Sequence, residues 1–422
     1  MKSFTTTQDM TQYEVSQDYC EPYLGATHDD LQAARFNKYD THIDKNEFFI
    51  YDDMNHKYNI YHRVEYIENT STAYIDPQYV TNANSIIEIK VQLTATAAQN
   101  RIIGNTSGYF ECYINGSSKW GFTSNGNLYV SNIAANTELH TFKIDNNALK
   151  GYIDVTQINI TKNAASYYNN AYLISRNGSS TCKCKIYYSK IYNGNTLVRD
   201  FIPVKNTLTN QYGLLDTVEQ KFYVSPNGVE FNGGNEIIED KNGVQYRKKE
   251  YIENTNNAYI ETGVYPSNST KIILKFINKV ATGGVIVGYQ SPESNEYRFF
   301  NASNKTYFDI GNQRYMPELS ILSNKLYELE IGNYYILDIL TGTKYSRTVY
   351  NNSAFSGAQI YLNRGSGSVS QNRYYYVSIY NDNILVRNYI PVQRISDSKY
   401  GLFDTINNKF YYSPDSAQFT GG

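Results

Sequence analysis

The acidic pair Glu328 and Glu330 is the part of the sequence that comes nearest to a catalytic site. A glycosidase needs two carboxylates that face each other across a cleft, about 5–5.5 or 6.5–9.5 Å apart. The two glutamates alternate along a predicted strand, so both point to the same face of a sheet. We therefore interpret the pair as a solvated strand face. Without a defensible Ser/His/Asp order or a phosphate-binding loop elsewhere, the sequence predicts that the protein is not an enzyme.

Histidine and cysteine offer little for a metal site. Cys182 and Cys184 would point their thiols to one face of a strand, which is at most half of a metal site. Four histidines lie in the first 64 residues and share no ligand-like spacing, and one lies further on: His28, His42, His56, His62 and His140. We therefore predict no metal site. Four cysteines in 422 residues also predict no disulfide framework, which suits a reducing compartment.

Two polar loops carry the residues best suited to contact a carbohydrate. Sugar recognition needs an aromatic ring against the apolar face of the sugar, with polar groups nearby for its hydroxyls. The single tryptophan, Trp120, ends a polar loop that begins at Asn115. In the second half of the chain, Asn301 and Tyr307 flank a similar loop. These four residues are the candidate carbohydrate contacts, and the alternative for Trp120 is packing inside a β-sandwich.

The chain contains an internal duplication. Residues 197–204 read LVRDFIPV and residues 385–392 read LVRNYIPV, an offset of 188 (385 − 197). The same offset relates YGLLDT at 212–217 to YGLFDT at 400–405 (400 − 212 = 188). A constant offset over separate blocks indicates two copies of one module.

Each copy of the repeated block holds an arginine and an aspartate. We predict that Arg199 pairs with Asp216 and that Arg387 pairs with Asp404, with the aspartates accepting hydrogen bonds from turn N–H groups. A motif kept in both copies is typically the shared scaffold, so these four residues are interpreted as structural, with ligand binding as the alternative. The proline in each block lacks an N–H and is predicted to end its strand or to lie on a sheet edge.

The module boundaries follow from a second repeated block. EYIENT occurs at 65–70 and again at 250–255, an offset of 185 (250 − 65). The sequence therefore predicts module 1 over 65–234, a short charged linker over 235–249 and module 2 over 250–422. Residues 1–64 match neither module. They are predicted to contain a short helix over 29–36 and a hairpin over 47–61, and to form an attachment arm or, alternatively, a cap on module 1.

Both modules are predicted to be all-β. Residues 85–93 (SIIEIKVQL) end in a clean alternation of apolar and polar side chains, and residues 270–276 (TKIILKF) are the corresponding strand of the second module. Turn-forming Asn-Gly and Gly-Asn pairs separate many short strands, and no long segment keeps a helical period. This pattern is typical of antiparallel β-sandwiches and jelly rolls.

Composition excludes several classes of partner. The formal net charge is −2 and charged residues make up 18% of the chain, so nothing indicates a nucleic-acid partner. No run of about 18 apolar residues occurs, so we predict no membrane insertion. The polar first residues lack the apolar stretch of a secretory signal peptide, so export is not expected.

The ordered motifs resemble a known family. The order EYIENT, AYI, a glycine after an apolar run, LVRDFIPV, YGLLDT and KFY is similar to that of laminin-G-like, concanavalin-A-like jelly-roll modules. Such modules recur in bacteriophage virion proteins and in surface proteins of gut bacteria. The resemblance covers about residues 65–422. It implies two-sheet jelly rolls that often bind carbohydrate, sometimes carry a calcium ion and commonly lack catalysis, and it transfers no ligand residues.

From the resemblance we expect a bacteriophage virion structural protein, made in the host cytoplasm. Residues 1–64 would attach it to other virion proteins of the capsid, head fibre or tail, and the modules would adhere to host-surface or mucus glycans. A homodimer or homotrimer suits such display. The alternatives are a secreted or cell-surface bacterial carbohydrate-binding protein and a polysaccharide-degrading tailspike enzyme.

Overall fold

A computed structural model describes most of the chain from residue 47 onwards. The described residues are 47–52, 57–97, 100–107, 109–161, 169–254, 257–279, 284–289, 296–302, 305–311, 313–346, 359–363 and 371–422. Within these ranges the regular elements are all strands, and there is no helix of the length and apolar character needed to cross a membrane. The predicted helix over 29–36 lies outside them. The chain divides into two compact units, unit 1 (Met1–Ile237) and unit 2 (Ile238–Gly422).

The described residues of unit 1 form seventeen strands. They are β1 (Glu47–Asp52), β2 (Lys57–Arg63), β3 (Ile67–Asn69), β4 (Ser85–Leu93), β5 (Arg101–Asn105), β6 (Phe110–Ile114), β7 (Lys119–Ser124), β8 (Asn127–Ala134), β9 (Leu139–Asp145), β10 (Lys150–Ile153), β11 (Thr156–Asn159), β12 (Ala171–Leu173), β13 (Cys184–Asn193), β14 (Thr196–Asn206), β15 (Tyr212–Asp216), β16 (Lys221–Tyr223) and β17 (Asn232–Gly233).

The strands of unit 2 follow, the first of them starting at the last residue of unit 1. They are β18 (Ile237–Glu239), β19 (Gln245–Lys248), β20 (Ile252–Glu253), β21 (Ile260–Glu261), β22 (Lys271–Asn278), β23 (Gly284–Tyr289), β24 (Glu296–Ala302), β25 (Lys305–Gly311), β26 (Gln313–Tyr315), β27 (Leu326–Gly332), β28 (Tyr335–Asp338), β29 (Thr343–Ser346), β30 (Tyr361–Leu362), β31 (Asn372–Asn381), β32 (Ile384–Arg394), β33 (Tyr400–Asp404), β34 (Lys409–Tyr411) and β35 (Thr420–Gly421).

Each unit contains a long and a short antiparallel sheet. The long sheet of unit 1 runs β1-β2-β14-β13-β4-β9-β10-β11, and its short sheet runs β12-β5-β6-β7-β8. Unit 2 repeats the plan with β18-β19-β32-β31-β22-β27-β28-β29 and β21-β30-β23-β24-β25-β26. The predicted fold class, tandem antiparallel β-sandwiches, is confirmed.

The apolar core of each unit lies between its two sheets. Strand β4 alternates buried and half-buried residues along its whole length, as its sequence predicted, and β22 does the same. In unit 1, Phe142 of the long sheet packs against Trp120 of the short sheet, with ring centroids 4.6 Å apart. In unit 2, Phe276 of the long sheet and Phe299 of the short sheet belong to one buried cluster. Fully burying such a side chain contributes roughly 1.5–3 kcal/mol.

A hairpin precedes the motif EYIENT in both units. The predicted hairpin of residues 47–61 is present as β1 and β2, and β2 pairs with β14. Residues 235–249, which the sequence predicts to be a linker, instead contain β18 and β19, and β19 pairs with β32 in the equivalent way. Tyr61 and Tyr246, offset by 185 (246 − 61), each anchor a small buried cluster under their hairpin. Backbone pairing needs no particular side chains, so the hairpin recurs although its sequence has diverged.

The prolines of the repeated block do not end their strands, contrary to the prediction. Strand β14 continues from Pro203 to Asn206. The carbonyl of Pro203 accepts the N–H of Val64 at 3.0 Å, just beyond the end of β2. The N and C=O of a strand residue point to the same side, so the missing N–H of Pro203 faces Val64, beyond the last residue of β2, and the pairing of β14 with β15 is left intact. Pro391 and Lys249 repeat this geometry at 2.9 Å.

Candidate functional site

The arginine and aspartate of the repeated block build a turn in unit 1. Asp216 is fully buried, and its Oδ1 accepts hydrogen bonds from the N–H groups of Asp200 at 2.9 Å and Val218 at 3.0 Å. Its Oδ2 lies 3.4 Å from Nε of Arg199. The predicted pair is therefore present, and its carboxylate fixes the β15–β16 turn.

Unit 2 repeats this turn with the second pair. Asp404 is fully buried and accepts the N–H groups of Asn388 at 3.0 Å and Ile406 at 3.1 Å. Nε of Arg387 lies 3.5 Å from its Oδ2. Since both carboxylates are buried and occupied by the protein's own groups, the four motif residues hold the scaffold together.

Trp120 and Asn115 do not form a carbohydrate site. Trp120 is fully buried between the two sheets of unit 1, so its ring cannot stack on a sugar. Asn115 uses its Oδ1 to accept the N–H groups of Ser117 at 3.0 Å and Lys119 at 2.8 Å. The asparagine therefore shapes the β6–β7 turn, and this pair of candidate contacts is wrong.

Asn301 and Tyr307, the two candidate contacts in unit 2, lie in different environments. Asn301 is buried; its Nδ2 donates to the carbonyl of Ile321 at 3.2 Å and its Oδ1 accepts the hydroxyl of Thr306 at 3.1 Å. Asn301 is therefore a structural residue and not a ligand contact. Tyr307 is half-buried and alternates with Phe308, whose side chain lies in the core. Its ring thus lies on the side of the short sheet that points away from the core.

Five residues on this side of the short sheet in unit 2 are called the outer face below. They are Arg298, Phe300, Tyr307, Asp309 and Arg314, which strand pairing brings side by side. Phe300 and Tyr307 stack with ring centroids 5.1 Å apart and an interplanar angle of 18°. The guanidinium of Arg314 lies 5.2 Å from the Tyr307 ring centroid, a cation–π distance.

A buried carboxylate joins the two arginines of this outer face. Asp309 lies 2.9 Å from Nη2 of Arg298, and it receives Nε and Nη2 of Arg314 at 3.1 Å each. The Arg314 side chain remains 55% exposed, whereas Arg298 and Asp309 are buried. Breaking a buried ion pair is costly, so this arrangement holds the Arg314 guanidinium in a fixed position beside an aromatic ring.

Unit 1 has a related outer face made of different residues. Glu111 is buried and forms hydrogen bonds with Nε of Arg176 and, at 2.7 Å, with its Nη2. Nε of Arg101 lies 3.1 Å from the same carboxylate, and the Arg101 guanidinium lies 4.6 Å from the Tyr113 ring centroid. The hydrogen bonds that Arg176 donates to Glu111 raise the pKa of Arg176, and desolvation raises the pKa of Tyr113.

The glutamate pair considered for catalysis lies on the solvent side of the long sheet of unit 2. Glu328 accepts the hydroxyl of Tyr376 at 2.7 Å and lies 3.9 Å from Nζ of Lys275. Glu330 accepts the hydroxyl of Tyr335. Desolvation and this hydrogen bond raise the pKa of Tyr335 to about 12. The two carboxylates lie along one strand of a sheet face, as predicted, and each has a tyrosine partner.

The described residues give no support for a metal centre. Cys182 and Cys184 are buried free thiols. His140 lies 2.7 Å from Asp154 and 2.8 Å from Asn136. In the ranges that the structure describes, no three His, Cys, Asp or Glu residues come together in a way that could hold an ion. The calcium ion that the resemblance allows therefore has no fitting acidic cluster there.

Sequence reasoning missed most of the outer-face residues. The alternation of Tyr297, Arg298, Phe299 and Phe300 along β24 does indicate that Arg298 and Phe300 share a face. The register that places Asp309 between Arg298 and Arg314 depends on strand pairing, which the sequence does not display.

Two solved structures show limited similarity to this chain. Domains LG4-5 of the mouse laminin alpha1 chain share 12% identity, with a TM-score of 0.28, covering 82% of this chain and 93% of that one. The binding domain of Botulinum neurotoxin DC, in a complex with rat synaptotagmin II, shares 10% identity, with a TM-score of 0.21 and 89% coverage of each chain. No family model and no curated protein matches the sequence. Likeness at this level assigns no ligand or partner.

Proposed function

We propose that this chain is a non-enzymatic carbohydrate-binding protein displayed on a bacteriophage virion. The observation that carries the binding role is the outer face of the short sheet in unit 2. There, Tyr307 and Arg314 lie together on the side of the sheet that faces away from the core.

The chemistry of this outer face suits a sugar. A half-buried tyrosine ring offers a surface for the C–H face of a pyranose, and a guanidinium held by a carboxylate offers donors in a fixed plane for hydroxyl pairs. Holding Arg314 on Asp309 reduces the entropy that binding would otherwise cost. Arg314 is the most exposed of these charged groups, so it is the residue expected to contact ligand first.

The two units are proposed to differ in ligand preference. Their turn motifs are equivalent residue by residue, but their outer faces are not. Strands β5, β6 and β7 of unit 1 correspond to β23, β24 and β25 of unit 2. Unit 1 has its carboxylate, Glu111, on β6, whereas unit 2 has Asp309 on β25, so the two carboxylates lie on strands that are not equivalent. Duplication followed by change that includes the outer face would produce two modules with different specificity.

Glycan-array binding by the full chain tests the carbohydrate role. We expect Tyr307→Ala and Arg314→Ala each to weaken binding to host-surface or mucus glycans about fivefold, because each removes an interaction worth roughly 1 kcal/mol. Tyr380→Ala is the matched control, since Tyr380 has a lysine 4.7 Å from its ring centroid but lies on the long sheet. The proposal fails if the native chain binds no glycan, or if Tyr307→Ala binds as the native chain does.

The virion location rests on the resemblance of the repeated blocks to modules of bacteriophage virion proteins. In this proposal, the N-terminal residues attach the chain to other virion proteins, and a homodimer or homotrimer is displayed. Because β1 and β2 belong to the sheet of unit 1, attachment is assigned to residues 1–46 rather than 1–64. Mass spectrometry and immunogold labelling of purified particles should detect the full chain. Particles that still incorporate a chain lacking residues 1–46 would contradict the attachment role.

A further inference from the structure

Three exposed apolar side chains lie at one end of unit 2, on loops that are separate from the outer face of the short sheet. Tyr265 is 59% exposed, Tyr334 is 41% exposed and Ile384 is 67% exposed. Tyr265 lies in the loop of residues 263–270 and Tyr334 in the β27–β28 turn, and Ile384 is the first residue of β32, directly after the β31–β32 turn. Single exposed apolar residues are common on protein surfaces, whereas a group on adjoining loops calls for an explanation.

Hydrogen bonds hold these three loops together. Nδ2 of Asn333, beside Tyr334, donates to the carbonyl of Ser267 at 3.1 Å. The N–H of Asp382 donates to the hydroxyl of Ser269 at 3.1 Å. The loop of residues 263–270 is thus hydrogen-bonded to both turns. These joined loops are called the loop end of unit 2 below, and Tyr265, Tyr334 and Ile384 are its apolar tips.

Equivalent hydrogen bonds join the corresponding loops of unit 1. Nδ2 of Asn146 donates to the carbonyl of Asn82 at 2.8 Å, as Asn333 does to Ser267. The N–H of Gly194 donates to the carbonyl of Asn84 at 2.8 Å and ties in the β13–β14 turn. The framework of the loop end is therefore common to both units.

The side chains at the positions of the three apolar tips differ between the two units. The equivalent pairs are Val80 and Tyr265 (265 − 80 = 185), Asn147 and Tyr334 (each following the fastening asparagine), and Thr196 and Ile384 (384 − 196 = 188). Unit 2 has larger or more apolar side chains at all three places. Two tyrosines and an isoleucine exposed on a shared framework add no buried area to the core, so their contribution is at the surface.

The surroundings of the tips favour an uncharged, hydroxyl-rich ligand. Among residues 263–270, 332–335 and 381–384 the charged side chain is Asp382, and the remainder are chiefly Ser, Thr, Asn and Tyr. Oδ1 of Asn333 is buried without a hydrogen-bond partner among the described residues. Such an acceptor is commonly satisfied by a donor from outside the chain, such as ordered water. Aromatic rings amid short amides and hydroxyls suit the apolar faces and hydroxyls of a sugar.

We propose that the loop end of unit 2 is a second carbohydrate site, which takes a neutral saccharide through Tyr265 and Tyr334. It rests on the proposed function in that the chain binds glycans, but it uses none of the residues of the outer face. Both units have the same hydrogen-bonded loops, so the site can be present in unit 2 and absent from unit 1 through a change of the exposed side chains alone.

The test replaces the three exposed side chains of the loop end of unit 2 with their equivalents from unit 1. The triple variant Tyr265→Val, Tyr334→Asn and Ile384→Thr gives unit 2 the residues that unit 1 already carries on the same framework, so folding should be retained. The full chain is probed with an array of neutral hexose and N-acetylhexosamine oligomers. We expect the triple variant to bind its best neutral oligomer at least about tenfold more weakly than the native chain does. Tyr412→Ala, at a 40% exposed tyrosine just beyond the end of β34 and outside both proposed sites, should leave that binding unchanged.

The reciprocal variant supplies the gain-of-binding control. Val80→Tyr, Asn147→Tyr and Thr196→Ile should strengthen neutral-oligomer binding by transferring the tips to unit 1. Neutral-oligomer binding that survives the unit 2 triple variant would overturn the proposal, as would a native chain that binds only through Tyr307. Self-association of the native chain in sedimentation experiments, abolished by the triple variant, would assign the surface to a second copy instead.

Discussion

Asp404 shows how one carboxylate can determine a turn. It accepts two backbone N–H groups, receives Nδ2 of Asn407 at 2.6 Å and faces Arg387. We expect Asp404→Ala to destabilise unit 2 by about 3–5 kcal/mol, because it leaves Arg387 without its counter-charge in a largely buried position. Urea unfolding measures the change. Asp397→Ala, which breaks an ion pair at the surface, should cost no more than about 1 kcal/mol, and equal losses would contradict this ranking.

The surface ion pair of Arg394 and Asp397 should make a contribution to stability that depends on pH. The hydrogen bond from Arg394 lowers the pKa of Asp397 to about 2, below its ordinary value of about 3.9. The folded-state pKa is the lower one, so the pair stabilises the protein above about pH 4 and stops doing so as the pH falls towards 2. We expect the stability difference between the native chain and Asp397→Asn to be constant from about pH 5 to 8, to shrink as the pH falls towards 2 and to vanish at about pH 1. The effect should be modest, since the Asp397 side chain is 37% exposed.

At the scale of elements, the hairpins β1–β2 and β18–β19 belong to the sandwiches. Phe48, Ile50 and Tyr61 pack with Val204 and Leu215 in a small cluster of unit 1. Ile238, Tyr246, Val392 and Phe403 form its counterpart in unit 2. Each hairpin therefore covers the side of β14 or β32 that would otherwise expose an apolar surface.

Two truncations distinguish an integral hairpin from a detachable arm. A chain of residues 47–422 should unfold at the same urea concentration as the full chain. A chain of residues 65–422 should lose at least about 3 kcal/mol in unit 1, because it lacks Tyr61 and the aromatic and aliphatic side chains of β1. Hydrogen exchange at residues 204–206 of β14 reports the loss locally. Equal protection in both truncated chains would show that the hairpin is dispensable.

At the scale of the whole molecule, each unit has its own large core cluster. The single tryptophan lies in the core of unit 1, so tryptophan fluorescence follows that unit alone, whereas circular dichroism follows both. We expect Phe276→Ala to lower the stability of unit 2 by about 3–5 kcal/mol and to shift the dichroism transition. The fluorescence transition should stay in place. A parallel shift of both signals would mean that the two units unfold together.

The sequence by itself determined the duplication, the all-β class, the strands of the long sheets and the two Arg–Asp pairs. These features are local in sequence or repeated at a constant offset, and the alternation of apolar residues along β4 and β22 records one-sided burial directly. Only the tertiary structure decided that Trp120 lies in the core while Tyr307 lies on the outer face. Both residues are aromatic neighbours of a polar loop, and the side to which each points depends on strand register. It also decided that Asp309 lies between two arginines, and that three tips separated by 69 (334 − 265) and 50 (384 − 334) positions share one end of unit 2. Such sites are made by pairing between distant strands, which leaves no mark on any single stretch of the chain.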